Sequence, residues 1–199
     1  MNGVLHTYNI CFLGRTGNGK SSLINNLFGL SLPTDPLVSC TKTLSSTTIL
    51  SQGKSNYDAI TVFDTPGIGE FSSVVPYQKY YEHSVSQSHC IVLVTTLDRT
   101  DAPAQRLLLS LKDFIEHGKD VRFVIALNHI DSRVTVGSAD DVVWDDVANM
   151  PTPCRLAQIE QRIEEIKRKF DGKFLPFDVV PVCAIRQYGI SELMKKILE

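Results

Sequence analysis

The segment at residues 14–21 reads GRTGNGKS, in which two glycines frame four residues before a lysine and a serine. Glycines let the backbone wrap so tightly that consecutive N–H groups point at phosphate oxygens, and a helix that follows adds the positive end of its dipole. Lysine here supplies a cation for the outer phosphates, and serine supplies a magnesium ligand. We therefore expect these roles for Lys20 and Ser21. The remaining residues expected at the phosphates are Gly14, Arg15, Thr16, Gly17, Asn18, Gly19 and Ser22.

A second segment, DTPG at residues 64–67, directly follows the strand-like run AITVF. A carboxylate at the end of a strand can meet a metal ion, and we expect Asp64 to hold Mg²⁺, most simply through a water molecule. Gly67 can present its backbone N–H to a third phosphate without a side chain in the way. The reading of an ordinary turn is weaker, because Asp64 follows Lys20 at a distance that leaves room for a hairpin between them.

A threonine that closes over the metal when the third phosphate is present should lie between these two segments. The candidates are Thr34, Thr41, Thr43, Thr47 and Thr48. We predict Thr41, because it precedes the basic Lys42 and lies just before a strand that begins near Leu44, and we keep Thr43 in reserve. Thr41 is thus expected both as a metal ligand and, with Lys20 and Gly67, as a catalytic residue.

The segment NHID at residues 128–131 follows another strand-like run, VRFVIAL. Asp131 can accept two N–H donors from guanine, which adenine does not offer in that arrangement, and an unpaired buried carboxylate penalises the wrong base. Asn128 would brace the loop and reach the edge of the purine, with His129 beside it. Near the C-terminus, Ala184 could direct its backbone N–H at the guanine oxygen, and Ile185 follows it at the base.

Strand-like and helix-like segments alternate along the chain and should position these loops. We predict strands at residues 8–13, 44–51, 57–63, 89–96, 121–127 and 179–182. We predict helices from Lys20, over apolar stripes at 104–115 and 156–170, and at 190–198, with the charged residues 160–168, Arg162 among them, on a solvated helix face. Alternation of this kind implies an α/β domain around a mainly parallel sheet, and the hairpin between the second and third strands implies one antiparallel edge strand.

Length and composition fit one domain, residues 1–199, with an irregular insert at about 132–153 that we expect to contact a partner or to be structural. The net charge of −2 gives no broad reason to expect nucleic acid, and no apolar run approaches the length of a transmembrane segment. The five cysteines are odd in number and lack CxxC spacing, which favours reduced core thiols, no zinc site and a cytoplasmic location.

Taken together, these motifs resemble those of the translation-factor-related P-loop GTPases of the Era/TrmE/septin-like branch. DTPG and the tail formed by Cys183, Ala184, Gly189, Ile190 and Leu193 are similar to that branch, and the insert looks like that of bacterial YeeP-type GTPase domains. The resemblance implies a three-layer Ras-like G domain: a six-stranded, mostly parallel sheet with one antiparallel edge strand and helices on both faces.

Three positions depart from the family pattern. His129 replaces the usual lysine of the base motif, from which we expect weaker nucleotide affinity. Gly17 stands where potassium-dependent members carry asparagine, and Asn18 comes one place late. Ile68 stands where Ras-like enzymes carry the glutamine that orients the attacking water, and an apolar side chain cannot do this.

We therefore predict a GTP-binding switch that uses Mg²⁺ and hydrolyses GTP slowly unless a partner protein or a second copy completes the site. Two alternatives stay open. One is a septin-like scaffold in which GTP-dependent dimerisation is the output and hydrolysis is incidental. The other is a P-loop kinase for a small metabolite, which explains DTPG and NHID poorly.

Overall fold

The computed structural model describes residues 6–34, 44–51, 57–68, 75–97, 102–112, 121–132, 142–172 and 176–199. The strands in these ranges are β1 (Thr7–Gly14), β2 (Ser45–Leu50), β3 (Ala59–Asp64), β4 (Cys90–Thr96), β5 (Arg122–Asn128), β6 (Trp144–Asp145), β7 (Met150–Pro151) and β8 (Phe177–Pro181). The helices are α1 (Lys20–Phe28), α2 (Val75–Gln87), α3 (Ala102–Ser110), α4 (Pro153–Phe170) and α5 (Ile190–Leu198).

Six of the strands form one sheet in the order β2-β3-β1-β4-β5-β8. All neighbours pair in parallel except β2, which runs antiparallel to β3 at the edge with Ser45 opposite Asp64. The predicted Ras-like architecture is thereby confirmed. Because parallel strands end at one edge of a sheet, β1, β3 and β5 deliver the predicted phosphate, metal and base segments to the same edge.

The sheet is covered on both faces, as the strand sequences require. In β1, Ile10 and Phe12 belong to one buried cluster, and Cys11 and Leu13 belong to the other. Successive side chains of a strand point to opposite faces, so a strand that is apolar at every position must be buried on both. The first cluster is completed by residues of α1 and α5, and the second by residues of α2, α3 and α4.

Helix α4 corrects one expectation about charge. Arg162 was expected on the solvated face, but it is buried and its Nη1 lies 3.2 Å from Glu165 Oε2. The buried residues of α4 are Arg155, Ile159, Arg162, Ile166 and Phe170. Their spacing follows the helical period, so the two arginines share the core-facing side with the apolar residues. Long arginine stems pack against apolar neighbours, which is the physical reason for this placement.

The insert is more regular than expected. Its described part, residues 142–152, contains a two-stranded antiparallel hairpin in which Trp144 pairs with Pro151. The Asp145 Oδ1 accepts hydrogen bonds from the backbone N–H groups of Val147 and Ala148, at 2.9 Å each, which closes the turn. Trp144 is buried and meets the ring of Tyr188 edge-on at 5.4 Å between centroids. The hairpin is therefore docked on the segment that leads into α5.

The cysteine expectation is met for three of the thiols. Cys11, Cys90 and Cys183 are buried free thiols, and burial raises the pKa of each to about 12. Cys154 is exposed, and Cys40 lies outside the described residues. Among the helices in the described ranges, none combines the length and the apolar character needed to cross a membrane.

Helix α3 offers a direct test of this packing, because Leu108 is fully buried while the next residue, Leu109, is 50% exposed. We expect Leu108→Ala to lower the free energy of unfolding by about 2–5 kcal/mol, since a cavity adds to the lost burial. Leu109→Ala is the matched control and should cost less than about 1 kcal/mol. Urea unfolding followed by circular dichroism measures both, and equal losses would contradict the placement of α3.

Candidate nucleotide-binding site

The phosphate loop, residues 14–21, joins β1 to α1. Gly19 is the N-cap of α1 and adopts φ 84°, a left-handed conformation that glycine tolerates at little cost. The Lys20 ammonium lies inside the loop, where it donates to the carbonyl oxygens of Gly14 (3.1 Å) and Arg15 (3.5 Å). The predicted cation and the positive end of the helix dipole are therefore at the mouth of one loop.

The two predicted metal ligands that lie within the described residues meet directly. The Ser21 hydroxyl donates to Asp64 Oδ2 at 2.7 Å, although the two residues are 43 positions apart. A hydroxyl and a carboxylate are hard oxygen donors of the kind that Mg²⁺ accepts, and the ion takes its other ligands from phosphates and water. The described residues contain no group of three His, Cys, Asp or Glu side chains that could hold a metal unaided. The donor set thus fits a magnesium ion that arrives with phosphates.

Residues 64–67 continue from β3 along the phosphate loop. The Thr65 hydroxyl donates to the carbonyl of Phe12 in β1 at 2.7 Å, and the Tyr81 hydroxyl of α2 donates to the Pro66 carbonyl at 3.0 Å. Both bonds are buried. They attach this segment to the sheet on one side and to α2 on the other, so its backbone has a defined course past the phosphate loop.

Gly67 is in close contact with the phosphate loop. A Cβ at this position would lie 1.9 Å from Thr16 Oγ1 and 2.7 Å from the Thr16 backbone nitrogen, so only glycine fits. The next residue, Ile68, donates its N–H to the Gly14 carbonyl at 3.1 Å, and its side chain is buried in the core. Because the Ile68 side chain faces the core, it is not placed to contact a water molecule that would attack a third phosphate.

Asn128 connects the base segment to the phosphate loop. Its side-chain amide donates to the Asn18 carbonyl at 2.9 Å, and its Oδ1 accepts the backbone N–H of Ala184 at 3.3 Å. Asn128 is fully buried, so both contacts are shielded from water. These two hydrogen bonds have the geometry that we expect of a residue that braces the loop. The Ala184 N–H expected at the guanine oxygen donates to Asn128 in this structure, and its role toward the base stays a prediction.

His129 lies against the phosphate loop. Its φ of 56° is left-handed, and its Nε2 is 2.9 Å from the place that a Cβ on Gly19 would occupy. The imidazole therefore covers the N-cap of α1. The Asn18 side chain points elsewhere, because its Nδ2 donates to the Val94 carbonyl at 2.8 Å in the buried sheet. Its contribution to a phosphate site would come from its backbone.

Asp131 lies beyond these contacts, with its side chain 21% exposed. Burial raises the pKa of the neighbouring Cys183 thiol. A hydrogen bond with Asp131 and the negative charge of Asp131 raise this pKa further, so the thiol stays neutral. The nearest cation is Arg186, whose Nε lies 3.2 Å from Asp131 Oδ2. Sequence reasoning did not identify Arg186, and its place directly after the predicted Ala184 and Ile185 was the available signal.

The remaining predicted site residues are Thr41, Ile185 and Ser22. Thr41 and its reserve Thr43 lie outside the described residues, so the threonine ligand stays a prediction. Ile185 is 84% exposed at the rim beside Ala184. Ser22 lies in the first turn of α1, where its carbonyl accepts the side-chain amide of Asn26 at 2.9 Å.

This fold and this set of loops define a nucleotide-binding domain of the Ras-like G-domain type. The family model described as 50S ribosome-binding GTPase matches residues 9–129, which is more than half of the chain. The chain belongs to this family of GTPases, and the prediction of a GTP-binding GTPase domain is confirmed. The comparisons do not favour the septin-like alternative.

Individual relatives agree with the family. The chain is 32% identical over 108 residues to GTP-binding protein A of Dictyostelium discoideum, an alignment that covers 50% of this chain and 22% of that protein. The structure of Era with MgGDPNP and a fragment of 16S ribosomal RNA has a TM-score of 0.68 at 20% identity, covering 98% of this chain and 57% of that one. The G domain of the T. maritima FeoB iron transporter has a TM-score of 0.55 at 19% identity, covering 96% and 97%. The chain thus spans about a fifth of the Dictyostelium protein and just over half of the Era chain.

Asn128 provides the test of how the loops are held together. We expect Asn128→Ala to weaken GDP binding about 5- to 150-fold, because it removes two buried hydrogen bonds that fix the base segment to the phosphate loop, worth about 1–3 kcal/mol in all. Calorimetric titration with GDP and Mg²⁺ measures the effect.

Asn26→Ala is the matched control for this substitution. Asn26 is exposed on α1, and its side-chain amide donates to the Ser22 carbonyl of the same helix. Its removal should leave GDP affinity within about twofold. Equal affinities for the two variants would show that the Asn128 bridge does not shape the pocket.

Proposed function

We propose that this chain binds GTP and GDP together with Mg²⁺ in a single pocket and hydrolyses GTP slowly to GDP and phosphate. The observation that carries the proposal is the double contact of Asn128 with the Asn18 carbonyl and the Ala184 N–H. One side chain thereby joins the phosphate loop to the base segment. A ligand that uses both must carry phosphates at one end and a purine at the other.

At the phosphate end, we assign the backbone of residues 14–22 and the Lys20 ammonium to the phosphate oxygens. Ser21 and Asp64 would hold Mg²⁺, with Thr41 as the third protein ligand, and the ion when bound would neutralise charge on the outer phosphates. The Gly67 backbone is assigned to the third phosphate, because it already lies against Thr16 of the phosphate loop. The magnesium named with the Era complex agrees with this assignment.

At the base end, we assign Asp131 to the two N–H donors on the edge of guanine. Asn128 and His129 would bound the purine on the side of the phosphate loop, and Ala184 and Ile185 on the side of the segment before α5. The Asp131 side chain is partly exposed, so a base that enters from solvent can reach its carboxylate. Adenine offers that carboxylate none of the two donors that guanine supplies, and this difference is the source of selectivity.

Slow hydrolysis follows from the side chains around the third phosphate. Ile68 is buried in the core and has no polar atom with which to orient water. Lys20, Thr41 and Gly67 are left as the groups that stabilise the reacting phosphate. We infer that a partner protein or a second copy of the chain supplies the missing group, since an added arginine is worth about 10³–10⁵ in rate in related enzymes.

We also infer that residues 1–199 form one G domain with an insert at about 132–153. The segments around Thr41 and at 64–76 would order with GTP and relax with GDP. On the resemblance of residues 183–193 and of the insert, we assign the chain to the Era/TrmE/septin-like branch near the YeeP-type domains. The RNA named with Era is not extended to this chain, because a net charge of −2 gives no electrostatic reason for it.

The base assignment predicts a change of specificity in Asp131→Asn. An amide offers a donor where guanine also presents one, but it complements xanthine. We expect the preference for GDP over XDP to fall by about 100-fold or more, measured by competition against a fluorescent nucleotide.

Asp171→Asn is the control, because Asp171 is an exposed residue at the C-cap of α4. It should leave the preference unchanged. If Asp131→Asn bound GDP normally and ignored XDP, Asp131 would not be the base-reading residue.

The isolated chain should hydrolyse bound GTP at about 10⁻⁴–10⁻³ per second, as intrinsic GTPases without an arginine do. Single-turnover assays with radiolabelled GTP measure this rate, and Lys20→Ala provides the background. A rate near 1 per second for the isolated chain would contradict the need for a partner.

A further inference from the structure

Arg186 connects the base-reading carboxylate to the insert hairpin. Its Nε donates to Asp131 Oδ2 at 3.2 Å, and its Nη1 donates to Asp146 Oδ1. Its guanidinium lies 4.8 Å from the centroid of the Trp144 ring, within range of a cation–π contact. One planar side chain thus contacts Asp131, which we assign to guanine, and two residues of the hairpin at 142–152.

The hairpin holds this arginine from several sides. Trp144 is buried beneath the guanidinium and is held edge-on by Tyr188. Asn149 donates its side-chain amide to the Arg186 carbonyl at 3.2 Å. The arginine is therefore fixed at its backbone and at its guanidinium by one short segment, and its freedom to turn away from Asp131 is small.

The position of the arginine leaves room for a base. A carboxylate offers about four acceptor sites on two oxygens, and Arg186 uses one site on Oδ2. The neutral Cys183 thiol donates to a further site on this carboxylate, which leaves about two sites for the two donors of guanine. A carboxylate on a freely rotating side chain would have to lose that rotation when the base binds, whereas one already held by an arginine has lost it beforehand.

We propose that Arg186 is a positioning residue for guanine recognition, which holds the Asp131 carboxylate in its base-reading orientation and is itself held by the hairpin through Asp146 and Trp144. The proposal rests on the role of Asp131 in the proposed function. It assigns a task to the insert: a part of the chain outside the common motifs sets the selectivity of the base site.

A purely structural ion pair would behave differently. If Arg186 only fastened the hairpin to the domain, its loss would change the affinity for all nucleotides alike. If it positions Asp131, its loss must act most on ligands that use both donors of guanine. IDP separates the two cases, because it lacks the exocyclic 2-amino group and so offers Asp131 one donor instead of two.

The experiment measures GDP, IDP and ADP binding to the full chain by calorimetry with Mg²⁺ present. We expect the original chain to bind GDP about 10- to 100-fold more tightly than IDP, as one hydrogen bond to a charged group requires. Arg186→Gln should weaken GDP binding about tenfold and IDP binding much less, so the GDP-to-IDP ratio moves toward one. Arg168→Gln is the matched control, because Arg168 is exposed on α4, and it should leave the ratio unchanged.

A second variant, Asp146→Asn, and the fluorescence of Trp144 provide independent checks of the proposal. Asp146→Asn weakens the ion pair between Arg186 and the Asp146 carboxylate, which is 78% exposed. We therefore expect the GDP-to-IDP ratio to decrease as well, by less than about fivefold. Trp144 is the only tryptophan of the chain, and a red shift of its emission in either variant reports that the hairpin has left its buried position.

The outcomes are distinct. A ratio that stays at its original value in both variants, or equal losses for GDP and IDP, would overturn the proposal while the proposed function stands. If the original chain bound ADP as tightly as GDP, or bound no nucleotide, the proposed function itself would fail.

Discussion

The hydrogen bonds of the Asn128 side chain are the interaction on which the candidate site depends. The amide donates to the carbonyl of Asn18 in the phosphate loop and accepts the N–H of Ala184 before α5. Because both contacts are buried, they are stronger than they would be in water, and leaving either group without a partner would be costly. The distance between the phosphate end and the base end of the pocket is therefore set before any ligand arrives.

The parallel sheet makes this bridge possible. Strands β1, β3 and β5 are buried on both faces, and their carboxyl ends bring Gly14, Asp64 and Asn128 to one edge. The pairing of Phe12 with Asp64 and of Thr96 with Asn128 fixes how far each loop projects beyond the sheet. A shift of one residue in either register would turn the side chains to the opposite face and displace one loop relative to the next.

The sequence was sufficient to predict the loops whose conformation is determined locally. The phosphate loop and the segment at residue 64 lie between a strand and a helix or turn, and their glycines mark places where the backbone turns tightly or approaches another segment, as Gly67 approaches Thr16. The Ser21 hydroxyl lies 2.7 Å from Asp64 Oδ2, although the residues are 43 positions apart, because β1 and β3 are neighbours in the sheet.

Other features could not be predicted with the rules that we applied. Arg162 falls on the buried face of α4 by helical period alone, but its residue type argued for solvent, and here the period was the better guide. Strands β6 and β7 are two residues long, which is too short for a periodic signal, and their turn depends on Asp145. Arg186 contacts Asp146 and Trp144 only when the hairpin packs against it, and the sequence around Arg186 does not show this tertiary packing.

The most direct test of the account is a calorimetric titration of the chain with GDP and with ADP, each in the presence of Mg²⁺. A single pocket that reads guanine through Asp131 predicts one site for GDP, with ADP bound at least 100-fold more weakly. Equal affinities for the two nucleotides, or no binding of either, would contradict it.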